Sequence, residues 1–240
     1  MTTSFSQPDK RNPAGSGGSN RDAFLSRVAE SLGRPRRTDP VQRPAWKHTV
    51  HLDTLADRTT EQLVEVLKEQ CTFIHTQVIE STPALLQRTL DDLIAGFGGG
   101  PVIRSGDPRF AEYGLNFPGG SVWSPDASRE DNVRRAEAAN VALVFADYAL
   151  AESGTVVLES RPDQGRALHF LPAHYIGVIQ RDRIVPRSTQ AAAALNRRHE
   201  AGEALGSCIN LISGPSNSAD IEMQLVVGVH GPLRATYVLI

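Results

Sequence analysis

Short apolar runs rich in β-branched residues alternate along this chain with segments of helical spacing, and that alternation restricts the fold more than any other feature. Runs at 72–78, 102–103, 141–145, 155–158, 175–179, 208–212, 225–229 and 236–240 have the length and composition of buried strands. Between them, Leu63, Val66 and Leu67 mark one helix. Leu86, Leu90 and Leu93 mark a second, with Thr82 as its cap and Pro83 at its first position. Further helices are expected at 129–139 and 188–200. Strands separated by helices pair in parallel, because the connection must cross a face of the sheet to return. The expected class is therefore α/β, with a mostly parallel sheet and helices on both faces. Toward the C-terminus the strands crowd together, and some antiparallel pairing is expected there.

The rest of the chain is less regular. Residues 1–20 are polar, hold Pro8, Pro13, Gly15, Gly17 and Gly18, and read as a disordered tail without the apolar segment of a signal peptide. Phe24, Leu25, Val28 and Leu32 give a helix over 21–32 that Gly33 stops, and Pro35, Pro40 and Pro44 make 34–50 a linker. The main domain is expected over 51–240. A net charge of −2 argues against nucleic acid or an anionic membrane as main partner. The clusters Arg34, Arg36, Arg37 and Arg181, Arg183, Arg187 read as solvated surface. No run of about eighteen apolar residues occurs, so no membrane-spanning helix is expected. Cys71 and Cys208 are the only cysteines and form no CxxC, which leaves this chain without ligands for an Fe–S cluster or structural zinc and suits reduced thiols in the cytoplasm.

Four segments carry polar and glycine residues for which a core has no use. In 146–155, Asp147 follows a buried strand, and Glu152 precedes Ser153, Gly154 and Thr155, a turn whose N–H groups could hold an anion. A tight turn capped by Glu152 and Ser153 explains the same residues. His174 stands beside a strand, as a base or as a hydrogen-bonded structural residue; His169, in a segment read as helix, is the weaker candidate. The segment 213–222 holds Ser213, Gly214, Ser216, Asn217, Asp220 and Glu222 in a donor-rich loop suited to phosphate or carboxylate, or capping a short helix. It follows a strand, as 146–155 does, and both are placed at a carboxyl edge of the sheet. His230 ends a strand before the turn Gly231-Pro232. No P-loop, dinucleotide fingerprint, GxSxG elbow or HExxH is present.

Taken in order, the runs ADYALAESGTVVLES (146–160), LPAHYIGVI (171–179) and ISGPSNSADIEMQLVVGVHGP (212–232) resemble the LUD family of lactate-utilisation proteins, as does RDAFLSRVAESLGRP (21–35). The resemblance implies a Rossmann-like sandwich similar to the CoA transferase and sugar-phosphate isomerase superfamily. It implies a role in oxidising L-lactate to pyruvate beside two companions, one carrying Fe–S clusters and one rich in cysteine; the sequence itself shows no cofactor held by this chain. The matching positions are Glu152 to Thr155, His174, Ser213 to Ser216, Ala219 to Glu222, and His230. Asn217 departs from the basic or hydroxyl residue expected there. Glu152, His174, Glu222 and His230 are the candidate catalytic groups. Ser153, Gly154, Thr155, Ser213, Gly214, Ser216, Asn217 and Asp220 are the candidate ligand-binding ones, for a small carboxylate such as lactate or an organic cofactor. Two other roles fit the same residues: a non-catalytic assembly subunit, and a stand-alone transferase or isomerase acting on a CoA thioester or sugar phosphate, with Glu152 as nucleophile.

Overall fold

The computed structural model describes residues 20–40, 42, 45, 47–219 and 225–240. It divides into two compact units, 1–47 and 48–240. In the first, helix α1 (Asn20–Ser31) ends in a Schellman pair: Gly33 N–H donates to Glu30 O at 2.9 Å and Arg34 N–H to Ala29 O at 3.1 Å. Arg36 forms an ion pair with Asp22. The tail expected over 1–20 lies outside the described residues except for Asn20, which opens α1.

The second unit opens with the short α2 (Val50–Asp53) and then α3 (Thr60–Phe73). A capping box starts α3: Gln62 N–H donates to Thr59 Oγ1 and Thr59 N–H to Gln62 Oε1. Leu63, Leu67 and Cys71 recur every four residues and are buried, so the helix runs on to Phe73. The strand expected from 72 instead begins at β1 (Thr76–Glu80), because the packed helical face outweighs the β-branched character of 72–74. Next come α4 (Leu86–Gly96), β2 (Val102–Arg104), α5 (Arg109–Glu112), β3 (Ser121–Val122), α6 (Arg129–Ala138) and β4 (Val141–Phe145). Thr82 does not cap α4. Its carbonyl closes a turn with Leu85 N–H, and the helix begins after that turn.

The chain then forms β5 (Tyr148–Leu150), β6 (Thr155–Glu159), β7 (His174–Ile179), β8 (Ile184–Val185), α7 (Ser188–Glu200), β9 (Ile209–Ile212), β10 (Asn217–Ala219), β11 (Leu225–Val227) and β12 (Arg234–Leu239). The central sheet has the order β1-β12-β7-β4-β2-β3 and is parallel throughout. The antiparallel pairing expected toward the C-terminus is present outside the central sheet: β5-β6 and β6-β9 in a second sheet, β8-β5-β6-β9, whose β5-β8 pair is parallel, and the hairpin β10-β11.

Alternation along β4 shows how the layers assemble. Val141, Leu143 and Phe145 face Leu86 and Leu90 of α4 and Phe110 of α5. Ala142 and Val144 face the opposite core, built with α3, α6 and the inner side of the second sheet. Helix α7 covers that sheet's outer side through Ala191, packed with Leu150 and Val157. One face of the central sheet is thus covered by helices alone. On the other, a second sheet shares the covering with helices.

Candidate functional site

The carboxyl ends of β2, β4 and β7 meet in a network of buried charge. Asp107 is 4% exposed and accepts from Arg109 Nε at 2.9 Å and Nη2 at 2.7 Å, a bidentate pair. Arg109 also donates to Ala146 O and to Gln180 Oε1, which lie just past β4 and β7. Arg161 reaches in from the loop after β6 and donates to Asp147 Oδ1 at 2.8 Å and Asp107 Oδ2 at 3.2 Å. The second oxygen of Asp147 accepts from Glu159 N–H at 2.7 Å. Burial by itself would raise the Asp107 pKa, but the two arginines outweigh it and hold the carboxyl below its ordinary value.

Beside this network opens a cavity of about 1220 Å³. Its walls are the β3–α6 connection, the loop 159–171, and the stretch from Arg198 to Cys208. The first wall is clamped by Asn132, whose amide donates to Ser124 O at 2.8 Å while its Oδ1 accepts from Ser124 N–H at 3.2 Å. Ser128 caps α6 by accepting from Asp131 N–H at 3.0 Å. Gly165 is required where it stands: a Cβ there would lie 2.0 Å from Trp123 Cζ2, so the loop could not seat on the indole.

Four arginines line the cavity, Arg129, Arg161, Arg166 and Arg198, against two carboxylates, Glu159 and Asp163. Glu159 is already engaged, accepting from Arg198 Nη1 and Gly206 N–H, each at 2.7 Å. Burial alone would raise the Glu159 pKa; those two donors hold it below the usual value. Asp163 stands 3.7 Å from Arg161. Arg129 and Arg166 have no ion-pair partner among the described residues. The cavity therefore keeps two uncompensated guanidinium groups, the chemistry of an anion site. No group of three His, Cys, Asp or Glu able to hold a metal occurs among the described residues.

The sequence-derived candidates gather elsewhere. Ser153 Oγ lies 2.7 Å from Thr155 Oγ1, which lies 2.6 Å from Ser213 Oγ, so two motifs 58 residues apart share one hydroxyl chain. Gly154 and Gly214 have φ of +64° and +80°, and a Cβ on Gly214 would fall 2.2 Å from Ile74 O. Both glycines thus seat their turns on the end of α3, next to the start of β1. Ser216 Oγ accepts from His230 N–H at 3.2 Å, and Asn217 opens β10. His174 begins β7, in register with Arg234 and Val141 at the starts of β12 and β4. These groups lie at the amino edge of the central sheet, not at the expected carboxyl edge. The direction of the edge depends on strand pairing, which spacing does not reveal.

Two candidates have firm partners at that edge. Glu152 accepts from Arg187 Nε at 2.6 Å. The Nδ1 of His174 lies 3.0 Å from Asn140 Oδ1 and 3.2 Å from Asn140 O, both acceptors, so Nδ1 carries the proton. The His174 ring stacks on Phe97 with centroids 4.5 Å apart. Burial, and then Arg234, lower its pKa. Asp220 and Glu222 lie outside the described residues.

Comparison with known proteins agrees with the resemblance read from the motifs. The model of the LUD domain matches residues 46–240. The chain belongs to the LUD-domain family. It is 50% identical over 231 residues to the lactate utilization protein C of Geobacillus kaustophilus, covering 92% of this chain and 96% of the relative. To the protein of that name from Bacillus subtilis it is 48% identical over 230 residues, with the same coverage. A DUF162 family protein from Deinococcus radiodurans, solved by crystallography, shares the fold with a TM-score of 0.54 at 20% identity, over 75% of this chain and 98% of that one.

Within this LUD domain, sequence reasoning passed over the cavity arginines and Asp107. Arg161 and Arg166 lie in RPDQGR, between two segments that were singled out, and nothing about their spacing distinguishes them from surface charge. Asp107 sits in the turn-rich stretch 105–128, which lacks any period. A glycine facing an indole, Gly165 with Trp123, was a usable signal only once the two were known to meet.

Proposed function

We propose that this LUD-domain chain serves lactate utilisation as a subunit working beside companion proteins that oxidise L-lactate to pyruvate, and that its arginine-lined cavity holds the organic anion of that system. The near-50% identity to proteins named for lactate utilisation supports the pathway. The observation that carries the site is the pair of unpaired guanidinium groups, Arg129 and Arg166, in a large cavity beside the carboxyl ends of parallel strands. Two widely separated cysteines supply no cluster ligands, so in this reading the Fe–S clusters and the electrons they carry belong to a cysteine-rich or cluster-bearing companion. A superfamily relation to CoA transferases and sugar-phosphate isomerases, implied by the motif resemblance, is part of the same proposal.

The test is lactate-dependent dye reduction by the anaerobically prepared companions, with and without this chain. Dependence on the chain, lost with Arg166→Ala, is the expected result. Equal rates without it would remove the chain from the oxidising machinery. A second reading, an assembly subunit with no chemical step, is favoured by the ion pair that occupies Glu152 and the hydrogen bonds that occupy His174. It requires Glu152→Gln and His174→Gln to leave the rate unchanged while the complex still forms.

A further inference from the structure

We infer that the cavity binds a phosphorylated ligand with a planar ring, of the nucleotide class, rather than a three-carbon acid. The inference rests on the proposed reading only in taking the cavity as the ligand site. Pockets for drug-sized molecules run to roughly 300–1,000 Å³, and this one reaches about 1220 Å³. A small hydroxy acid would fill a corner of it and engage one guanidinium.

The charge is arranged for more than one anionic group. Arg129 stands at the first turn of α6. Arg166 lines the same cavity from the connection between β6 and β7. Neither has an ion-pair partner among the described residues, and the two carboxylates in the walls are engaged by Arg198 and Arg161. Guanidinium forks bind phosphate oxygens in pairs, so two on different elements suit a diphosphate. The ring is the second half of the argument. Phe170 lines the same cavity and is 42% exposed, beside Leu171 and Pro125. A partly exposed aromatic ring lining the same cavity as the two arginines suits a flat heteroaromatic joined to phosphates.

The test is calorimetric titration of the full chain with ADP, pyrophosphate, adenosine and lactate. ADP is expected to bind more tightly than pyrophosphate, and both to weaken roughly tenfold in Arg129→Ala and again in Arg166→Ala. Phe170→Ala should remove the advantage of ADP and leave pyrophosphate unaffected. Arg88→Ala, on an exposed face of α4, should change nothing. Both cavity arginines are exposed, so unchanged circular dichroism and melting will show that their variants are folded. Absence of ADP binding up to about 1 mM would overturn the inference, as would ADP and pyrophosphate of equal affinity, or ADP binding unmoved in the double arginine variant. ADP binding by the chain together with equal dye-reduction rates without it sinks the proposed pathway alone, and dependence of the rate on the chain without ADP binding sinks this inference alone.

Discussion

Among the described residues neither ring nitrogen of His169 has a hydrogen-bond partner, although the residue is only 5% exposed and its ring meets Tyr175 edge-on at 6.0 Å. Burial, and then Arg166 and Arg161, push its pKa down to about 4. Between that value and the ordinary 6.5, the unfolded chain binds a proton that the folded one refuses. Stability is therefore full above about pH 6.5 and falls as the pH drops toward 4, by roughly 3 kcal/mol in all. Urea midpoints between pH 7.5 and 4.5 should show this slope, and His169→Phe should flatten it; equal slopes would show that the proton enters elsewhere. Gly214 tests a different constraint. Alanine there must adopt φ +80° and place its Cβ 2.2 Å from Ile74 O, a backbone atom that cannot swing aside. The expected loss is about 3 kcal/mol or more, seen as a melting point lower by roughly 6–12 °C. A shift under about 2 °C would mean that the turn relaxes away from α3. The sequence marked Gly214 for an anion loop; the structure uses it to let two backbones touch, a distinction spacing does not carry.

At the scale of elements, the central strands were legible because the sheet is buried on both faces, which writes them as unbroken apolar runs: 141–145 is β4 without adjustment. The strands β3, β5 and β8, of two or three residues, were not, since so short a stretch holds no period. Nor was the carboxyl-edge network, which joins loops from residues 107, 109, 147, 161 and 180 and depends on which strands are neighbours. That network ties four strand ends together, and its weight can be measured. Asp107→Asn leaves Arg109 and Arg161 facing an amide in a buried setting, at an expected cost of about 3 kcal/mol. The exposed pair Arg88–Asp92 provides the contrast, since Asp92→Asn should cost under about 0.5 kcal/mol. Because the folded Asp107 pKa lies below its ordinary 3.8, its contribution is present above that pH and disappears as acid protonates the folded carboxylate. This window lies below that of His169, so an acid titration separates the two. Equal melting points for wild type and Asp107→Asn would show that the network orients loops without holding them.

The whole molecule poses a question about its first unit. All three core clusters are built from residues after 48, and the LUD match begins at 46. A chain starting at His48 should therefore keep the entire core and the entire cavity, whose lining runs from Trp123 to Cys208. The expected outcome is one cooperative transition within about 2 °C of the full chain, with ADP binding unchanged. A broadened transition, or a drop beyond about 10 °C, would show that the division into units does not match the cooperative unit of folding. If the shortened chain is stable and binds ADP yet fails to restore lactate-dependent dye reduction, its missing part acts on the companions and not on the ligand. If it restores the rate in full, the first unit has no place in the reaction, and everything the chain contributes must come from the domain that holds the cavity. Folding, ligand binding and coupling to the companions are thus read separately from a single deletion, because the residues that carry the first two lie on one side of it.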